Sequence, residues 1–251
     1  MTTVTDVMGA KARSQVYAFL AQAFADPDAA TLAWLKQTLP TAEVALATIG
    51  GMESCAALDA VRGEIGGLNE DELVAAHHRV FGHGVSGDCP PYEGEYGHAH
   101  IFQKTQSLAD NAGFLEAFGL APAPGRADRL DHISVELEFV HVLAAKEAYA
   151  LAHDHGEERL AIVRDATRKY LKDHLGRWAP AFAAQLESKA QDGPYAALAR
   201  LLATFIAEET LALDVAPVPS ASFASQPDDE QAGCDGCAAV SVFNPAMRGE
   251  P

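Results

Sequence analysis

The sequence predicts an all-α protein, a single bundle of about eight to ten helices followed by a disordered C-terminal tail. Apolar residues recur at the three-to-four spacing of a helix face along most of the chain, as Val16, Leu20 and Phe24 do near its start. Alternating β-branched residues, the pattern typical of strands, are nearly absent. With 251 residues, 49% of them hydrophobic, the chain can bury a core without disulfides or metals.

Residues that start or stop a helix define the individual elements. Asp26-Pro27, Pro40 and Gly66-Gly67 each predict the end of a helix. Asn69 with Glu72 three residues later is typical of a capping box. Helices are therefore predicted over residues 11–24, 32–39, 52–65, 69–81, 102–118, 130–153, 157–175 and 195–213, with one more that opens at residues 178–180, where proline is tolerated in the first turn.

Two stretches depart from the helical pattern. Residues 82–97 concentrate glycines, prolines and tyrosines and predict an irregular loop. From Val215 the composition shifts to small and polar residues. We therefore expect a helical domain over residues 1–214 and a disordered tail over residues 215–251.

The charge of the chain favours some partners over others. Lys and Arg number 18 against 35 Asp and Glu, a formal net charge of −17. Such a surface repels phosphate backbones, which argues against nucleic-acid binding and favours a basic partner. No apolar run approaches the roughly 20 residues of a membrane span, and the first residues lack the apolar core of a secretion signal. We expect a soluble, cytoplasmic protein without stable membrane insertion.

The helix predicted from Leu130 carries many polar residues for a helix that is apolar almost all round. These residues are Asp131, His132, Glu136, Glu138 and His141. Burying such groups is costly unless they are paired, so they indicate either a polar pocket or a half-exposed helix with solvated charges. Glu138 and His141 also match the Glu-x-x-His half-motif of di-iron bundles, but the chain contains no second copy.

The loop at residues 82–97 supports two interpretations. Tyr92 and Tyr96 flank two glutamates next to a Pro-Pro pair, a combination suited to gripping a peptide with apolar and basic residues. Tyrosines that pack as lids on the bundle would produce the same pattern.

Histidines and cysteines support an alternative function, a metal- or thiol-binding redox accessory protein. The candidate ligands near the loop are His77, His78, His83, His98, His100 and Cys89, although no two of them show a zinc-site spacing. Cys234 and Cys237 form a Cys-x-x-Cys in the tail, but a structural zinc needs two further ligands. Signatures of phosphate-binding loops and serine hydrolases are missing, so neither catalysis nor a cofactor is expected.

Three segments carry a family signature. Residues 131–139 are DHISVELEF, residues 170–182 are YLKDHLGRWAPAF, and CPPYEGEYG at residues 89–97 precedes FQKTQSLADNAGFLEAFGL at residues 102–120. The first two resemble the Asp-His-x-x-x-Glu-Leu-Glu-Phe and His-Leu-x-x-Trp-x-Pro-x-Phe motifs of the TorD/DmsD family of redox-enzyme maturation chaperones. The third resembles the branch that serves type II molybdoenzymes, such as ethylbenzene and dimethylsulfide dehydrogenases and chlorate or selenate reductases.

The resemblance implies a cytoplasmic chaperone without catalytic turnover. It would bind the twin-arginine signal peptide and the apo catalytic subunit of a molybdopterin oxidoreductase, assist cofactor insertion and delay export. Helix-swapped dimers occur among relatives, which allows a homodimer. A scaffold for a different helical partner is a third hypothesis, and the client enzyme, guanine-nucleotide binding and molybdenum-cofactor binding stay open.

The candidate peptide-binding residues come from two sources. The resemblance implies Phe81, Pro91, Tyr92, Asp131 and His132, and the patterns of the loop and the helix add Tyr96, Glu136 and Glu138. We expect Asp131 to pair with an arginine of the signal and His132 to be oriented by Glu136. Phe81 and Tyr92 would line the apolar part of the groove.

Overall fold

The computed structural model describes residues 3–82, 88–97, 101–121 and 129–220, with residues 101–103 described by their backbone alone. Across these ranges the chain forms nine α-helices: α1 (Val4–Phe24), α2 (Thr31–Ile49), α3 (Met52–Gly66), α4 (Glu70–Phe81), α5 (Ile101–Ala117), α6 (Ile133–Ala152), α7 (Glu157–Asp173), α8 (Leu175–Ala190) and α9 (Gly193–Ala212). One turn of 3-10 helix, Glu93–Glu95, lies between α4 and α5. No strand occurs in the described ranges, and the predicted all-α class is confirmed.

The prediction that Pro40 ends a helix is wrong, whereas α1 ends before Asp26-Pro27 as predicted. Pro40 lies inside α2, which continues to Ile49. Leu39 and Ala42, on either side of the proline, are buried against the core, so packing holds the helix together across it. The backbone carbonyl that loses its partner belongs to the exposed Lys36, where water can replace the missing N–H donor.

The junction between α7 and α8 is tighter than predicted. Only His174 separates the two helices, and α8 begins at Leu175, so Pro180 lies beyond its first turn. Gly176 permits the sharp change of direction, because a Cβ at this position would collide with the backbone oxygen of Leu171. The junction places His174 in the interior, 3% exposed.

Helix α6 holds the central position among the described helices. It packs mainly along α1 and also contacts α7 and α8, whereas α9 packs along α8 and α3. One continuous core joins these helices, and its largest fully buried side chains include Trp178, Tyr17, Tyr170, Tyr195, Phe139 and Phe182. Because α1, α7 and α8 cover most sides of α6, this helix carries apolar residues almost all round.

The first residues of the predicted tail belong to the structured part of the chain. Ser220 N–H donates to the Arg177 carbonyl oxygen at 2.8 Å, and Arg177 Nε donates to the Val218 carbonyl oxygen at 3.3 Å. The remainder of the predicted disordered tail, with Cys234 and Cys237, lies outside the described residues, as do His83, His98 and His100. Among the helices described, none combines the length and the apolar character needed to cross a membrane.

Candidate functional site

The loop and the motif helix, 40 residues apart in sequence, are joined through their backbones. Glu93 N–H donates to the Asp131 carbonyl oxygen at 2.8 Å, and Ile133 N–H donates to the Pro91 carbonyl oxygen at 2.9 Å. These bonds form an isolated antiparallel bridge between Tyr92 and His132. Two of the three signature segments therefore meet at the N-terminus of α6.

Asp131 is completely buried, and other groups of the same chain already bind its carboxylate. Arg129 binds it in a bidentate pair, from Nε to Oδ1 at 2.9 Å and from Nη2 to Oδ2 at 2.7 Å. The Gly94 N–H donates to Oδ2 at 3.1 Å. The arginine that pairs with Asp131 is thus Arg129 of the same chain, and a peptide arginine would have to displace it.

Arg129 also connects Asp131 to the rest of the loop. Its guanidinium carbon lies 4.5 Å from the centroid of the Tyr92 ring, and its Nη1 donates to Glu95 Oε1 at 3.3 Å. Lys104 Nζ in turn donates to Glu95 Oε2 at 2.7 Å. Arg129 is not among the predicted site residues, although a cation two residues before an aspartate is a usable signal for such a pair.

His132 caps α6 and lies at the surface. Its Nδ1 accepts from the Ser134 N–H at 3.1 Å, and its ring contacts Tyr92 with centroids 5.2 Å apart. The prediction that Glu136 orients His132 is wrong, because the Glu136 side chain points into the core. There Glu136 Oε2 accepts from Trp178 Nε1 at 2.9 Å.

Behind Glu136 lies a buried network of charged and polar groups centred on Glu93. Glu93 Oε2 accepts from Ser107 Oγ at 2.7 Å and from Asn111 Nδ2 at 2.9 Å, and lies 3.1 Å from His174 Nδ1. Burial pushes the pKa of Glu93 upward, but the hydrogen bond and positive charge of His174 outweigh this and lower the pKa overall. The pKa of His174 is raised despite its burial, because Glu93 and Asp110 favour the protonated ring.

The pKa of Glu136 is shifted in the opposite direction to that of Glu93. Burial raises the pKa of Glu136 well above its ordinary value of 4.5, and the negative charge of Glu93 raises it further. Burial therefore favours the neutral form of Glu136 in the folded protein. The three carboxyl groups of the motif lie in different environments: Asp131 is paired with Arg129, Glu136 is buried beside Trp178, and Glu138 is exposed.

The charge state of Glu136 predicts a pH dependence of stability. Between pH 4.5 and the raised folded pKa, the folded protein holds a proton that the unfolded chain has released, so this contribution to stability falls as pH rises. Glu136→Gln mimics the protonated carboxyl and removes the effect. We expect the free energy of unfolding of the variant, relative to wild type, to increase between pH 5 and pH 8 in urea titrations, by about 1.4 kcal/mol for each unit of pKa shift within that range.

Glu138→Gln is the matched control for this experiment, because Glu138 is exposed on the same helix. Its stability relative to wild type should not change with pH. A pH-independent difference for Glu136→Gln would contradict a raised pKa of Glu136 in the folded protein.

Three of the candidate binding residues lie in the core. Phe81 is 6% exposed, stacks on Phe182 with centroids 6.2 Å apart and meets Tyr195 edge-on. Tyr96 is buried against Trp178 at 5.3 Å, and Pro91 is also buried. The prediction that Phe81 lines an open groove is wrong, since α8 and α9 cover it, whereas Tyr92 lies half-buried at the surface.

An apolar groove of about 370 Å³ runs along the outer side of α6, between α1, α2 and the end of α5. Its apolar lining includes Ala18, Ala21, Trp34, Leu120, Val135 and Val142. Glu138 and His141 contribute polar groups, and His141 Nδ1 is bound to Ser14, 2.8 Å from its carbonyl oxygen. Of the eight candidate residues, Glu138 is the one that lines this groove. Ala18 and Ala21 of α1 have short side chains, which leave room for this groove.

A second cavity, of about 690 Å³, lies on the other side of the Glu93 network. It is polar and lined by groups of both signs, among them Lys104, Asp110, Asp173, His174 and Arg177. Ser220 forms part of its wall, next to the point where the described residues end. Residues 93–97 of the loop thus contribute to the wall of the charged cavity, whereas the loop does not line the apolar groove.

Comparison with known proteins places the chain in a family. The family model described as the nitrate reductase delta subunit matches residues 48–184, more than half of the chain. The chain belongs to the nitrate reductase delta subunit family. This is a family of TorD-like redox-enzyme maturation chaperones, so the family predicted from the sequence motifs is confirmed. The narrower assignment to the type II branch stays a prediction.

One solved structure shows a weak similarity to the chain. A redox enzyme maturation protein from Archaeoglobus fulgidus shares 20% sequence identity with the chain, and the match covers 62% of this chain and 91% of that one with a TM-score of 0.33. No curated protein matches the sequence. The family model alone establishes the membership.

Proposed function

We propose that this member of the nitrate reductase delta subunit family is a cytoplasmic assembly chaperone for a type II molybdoenzyme. It binds the twin-arginine signal peptide and the apo catalytic subunit, holds the subunit back from export until the cofactor is inserted, and catalyses no reaction itself. The observation that carries the proposal is the apolar groove along the motif helix, with the exposed carboxylate of Glu138 beside it.

The groove and the charge of the chain suit the two parts of such a peptide. A twin-arginine signal is basic at its start and apolar in its middle. The apolar segment would lie against residues such as Val135 and Val142, with its basic end directed to Glu138 and to a protein surface of net charge −17. Such attraction speeds encounter and weakens as salt screens it.

The candidate residues take two different roles in this proposal. Glu138, Tyr92 and His132 are accessible and contact the peptide or the catalytic subunit. Asp131, Glu136, Pro91 and Tyr96 are buried and support the loop and the start of α6, and Phe81 is buried beneath α8 and α9 as part of the core.

The test is a titration of the full chain against synthetic twin-arginine signal peptides from the host's molybdoenzymes, followed by fluorescence anisotropy. We expect saturable binding of one peptide, weaker at high salt and weaker again for a Lys-Lys version of the same peptide. The peptide that binds identifies the client, and a client of the type II class would support the narrower assignment.

Two variants connect the binding to the groove. Glu138→Lys reverses the charge beside the groove and should weaken binding by about tenfold, equivalent to ~1.4 kcal/mol. Ala18→Leu fills part of the groove from the side of α1 and should weaken binding without altering its salt dependence. Glu158→Lys, an equal charge reversal at an exposed position of α7, is the control and should bind normally. Wild-type affinity in both groove variants would refute the site.

A further inference from the structure

A cluster of two histidines and one aspartate lies where the start of the α1–α2 connection meets α4. One ligand atom each from Asp26, His77 and His78 lie within 4.8 Å of one another. His77 Nδ1 and Asp26 Oδ1 are 3.7 Å apart, too far for a hydrogen bond but close enough to share a cation. Asp26 is exposed and both histidines are half-buried, so the cluster is open on one side.

The surroundings of His77 point to a ligand. Its Nδ1 is buried without a hydrogen-bond partner among the described residues. The ring is held by Phe81 at 4.8 Å and Tyr195 at 5.6 Å between centroids. An orphaned buried nitrogen is unfavourable, and a ring that is fixed by aromatic neighbours pays little entropy when it coordinates an ion.

We propose that Asp26, His77 and His78 bind a divalent transition-metal ion of the zinc class. Imidazole nitrogen suits Zn²⁺, Co²⁺, Ni²⁺ and Cu²⁺, and one carboxylate completes a common three-ligand set. Three protein ligands leave a fourth position for water or for a group of a partner protein. This site does not involve the Cys-x-x-Cys of the tail, and it is independent of the proposed peptide binding.

The test is a titration of the tag-free full chain with Co²⁺ at pH 7.5, followed by the visible d–d absorption of the bound ion, with Zn²⁺ displacing it. All proteins in the series carry Cys234→Ser and Cys237→Ser, so that thiolates of the tail cannot contribute. We expect one equivalent of Co²⁺ to bind with nitrogen and oxygen ligation. Mg²⁺, which prefers oxygen ligands, should not compete.

Variants assign the ligands. His78→Ala, His77→Gln and Asp26→Asn should each weaken Co²⁺ binding by about tenfold or more. Asp26 is exposed, so Asp26→Asn should leave the urea midpoint unchanged, and this variant tests the site even if a histidine variant unfolds. The control is His153→Ala with His155→Ala, which removes a histidine pair from the far end of α6.

Three outcomes would overturn the proposal. They are no saturable Co²⁺ signal in the tag-free protein, wild-type binding in both Asp26→Asn and His78→Ala, or loss of binding in the His153/His155 control. Because the signal peptide plays no part in these measurements, a negative result here would leave the chaperone proposal intact.

Discussion

Replacement of Arg129 by methionine is expected to lower the free energy of unfolding by about 3–5 kcal/mol, because it leaves the buried carboxylate of Asp131 without its counter-charge. Asp131 is 0% exposed, and its two oxygens are bound by Arg129 Nε and Nη2 at 2.9 and 2.7 Å. Methionine retains much of the aliphatic length of arginine, so the loss of stability measures the contribution of the charged guanidinium group. Urea unfolding followed by circular dichroism measures it.

The matched control is Arg62→Met, which removes an arginine from an exposed pair with Glu43. Surface pairs of this kind contribute about 1 kcal/mol or less. Adding Asp131→Asn to Arg129→Met should recover part of the stability, because a neutral amide needs no counter-ion and can still accept from Gly94. Equal costs for Arg129→Met and Arg62→Met would show that Asp131 does not depend on Arg129.

The pairing of Asp131 with Arg129 affects how peptide binding by Asp131 variants is interpreted. Asp131 supports the loop through Gly94 and Arg129, so its replacement should disturb the loop before any peptide is added. Loss of peptide binding in an Asp131 variant would then follow from the fold. Glu138, by contrast, is exposed and does not support the loop, so its variants measure the contribution of this side chain to binding directly.

Replacement of Trp178 by alanine is the second change with a large expected effect, about 3–5 kcal/mol of unfolding free energy. Trp178 is 0% exposed and packs between Tyr96 and Phe182, with ring centroids 5.3 and 5.4 Å away. Truncation opens a cavity beneath the loop and also removes the N–H that binds Glu136. The loop and α6 would lose a shared support.

Trp178→Phe separates these two contributions. It keeps most of the aromatic volume but removes the indole N–H, so that Glu136 Oε2 loses its donor, at a cost of about 1–3 kcal/mol. Urea titrations of both variants at pH 7 provide the comparison. If Trp178→Phe were as stable as wild type, the hydrogen bond to Glu136 would contribute nothing, and the cost in Trp178→Ala would be that of packing alone.

The helix pattern could be predicted from the sequence because it depends on local rules. Asn69 and Glu72 form the capping box that their spacing indicates, with bonds of 2.9 and 3.0 Å. The prediction failed at Pro40, because the burial of Leu39 and Ala42 on either side outweighs the loss of one backbone hydrogen bond. Local signals cannot report how strongly a helix is held by its neighbours.

The candidate site was predicted less completely, for a related reason. Motif resemblance selected Asp131, Glu136 and Glu138 together, but it did not distinguish their environments. The partners that decide those environments are Arg129, which comes directly before the predicted helix, and Trp178, which lies 42 positions after Glu136. Burial and pairing of a carboxylate depend on such contacts and not on its place in a motif.

The sequence by itself determined the all-α class, most helix positions and the chaperone family, because these depend on periodicity, capping and motifs that are local in the chain. Only the tertiary structure decided that Asp131 is paired with Arg129, that Glu136 is buried beneath Trp178, and that Glu138 lines an apolar groove. It also brought Asp26, in the connection after α1, next to His77 of α4. Charge state and accessibility are set by the packing of distant segments, and that packing exists only in the folded chain.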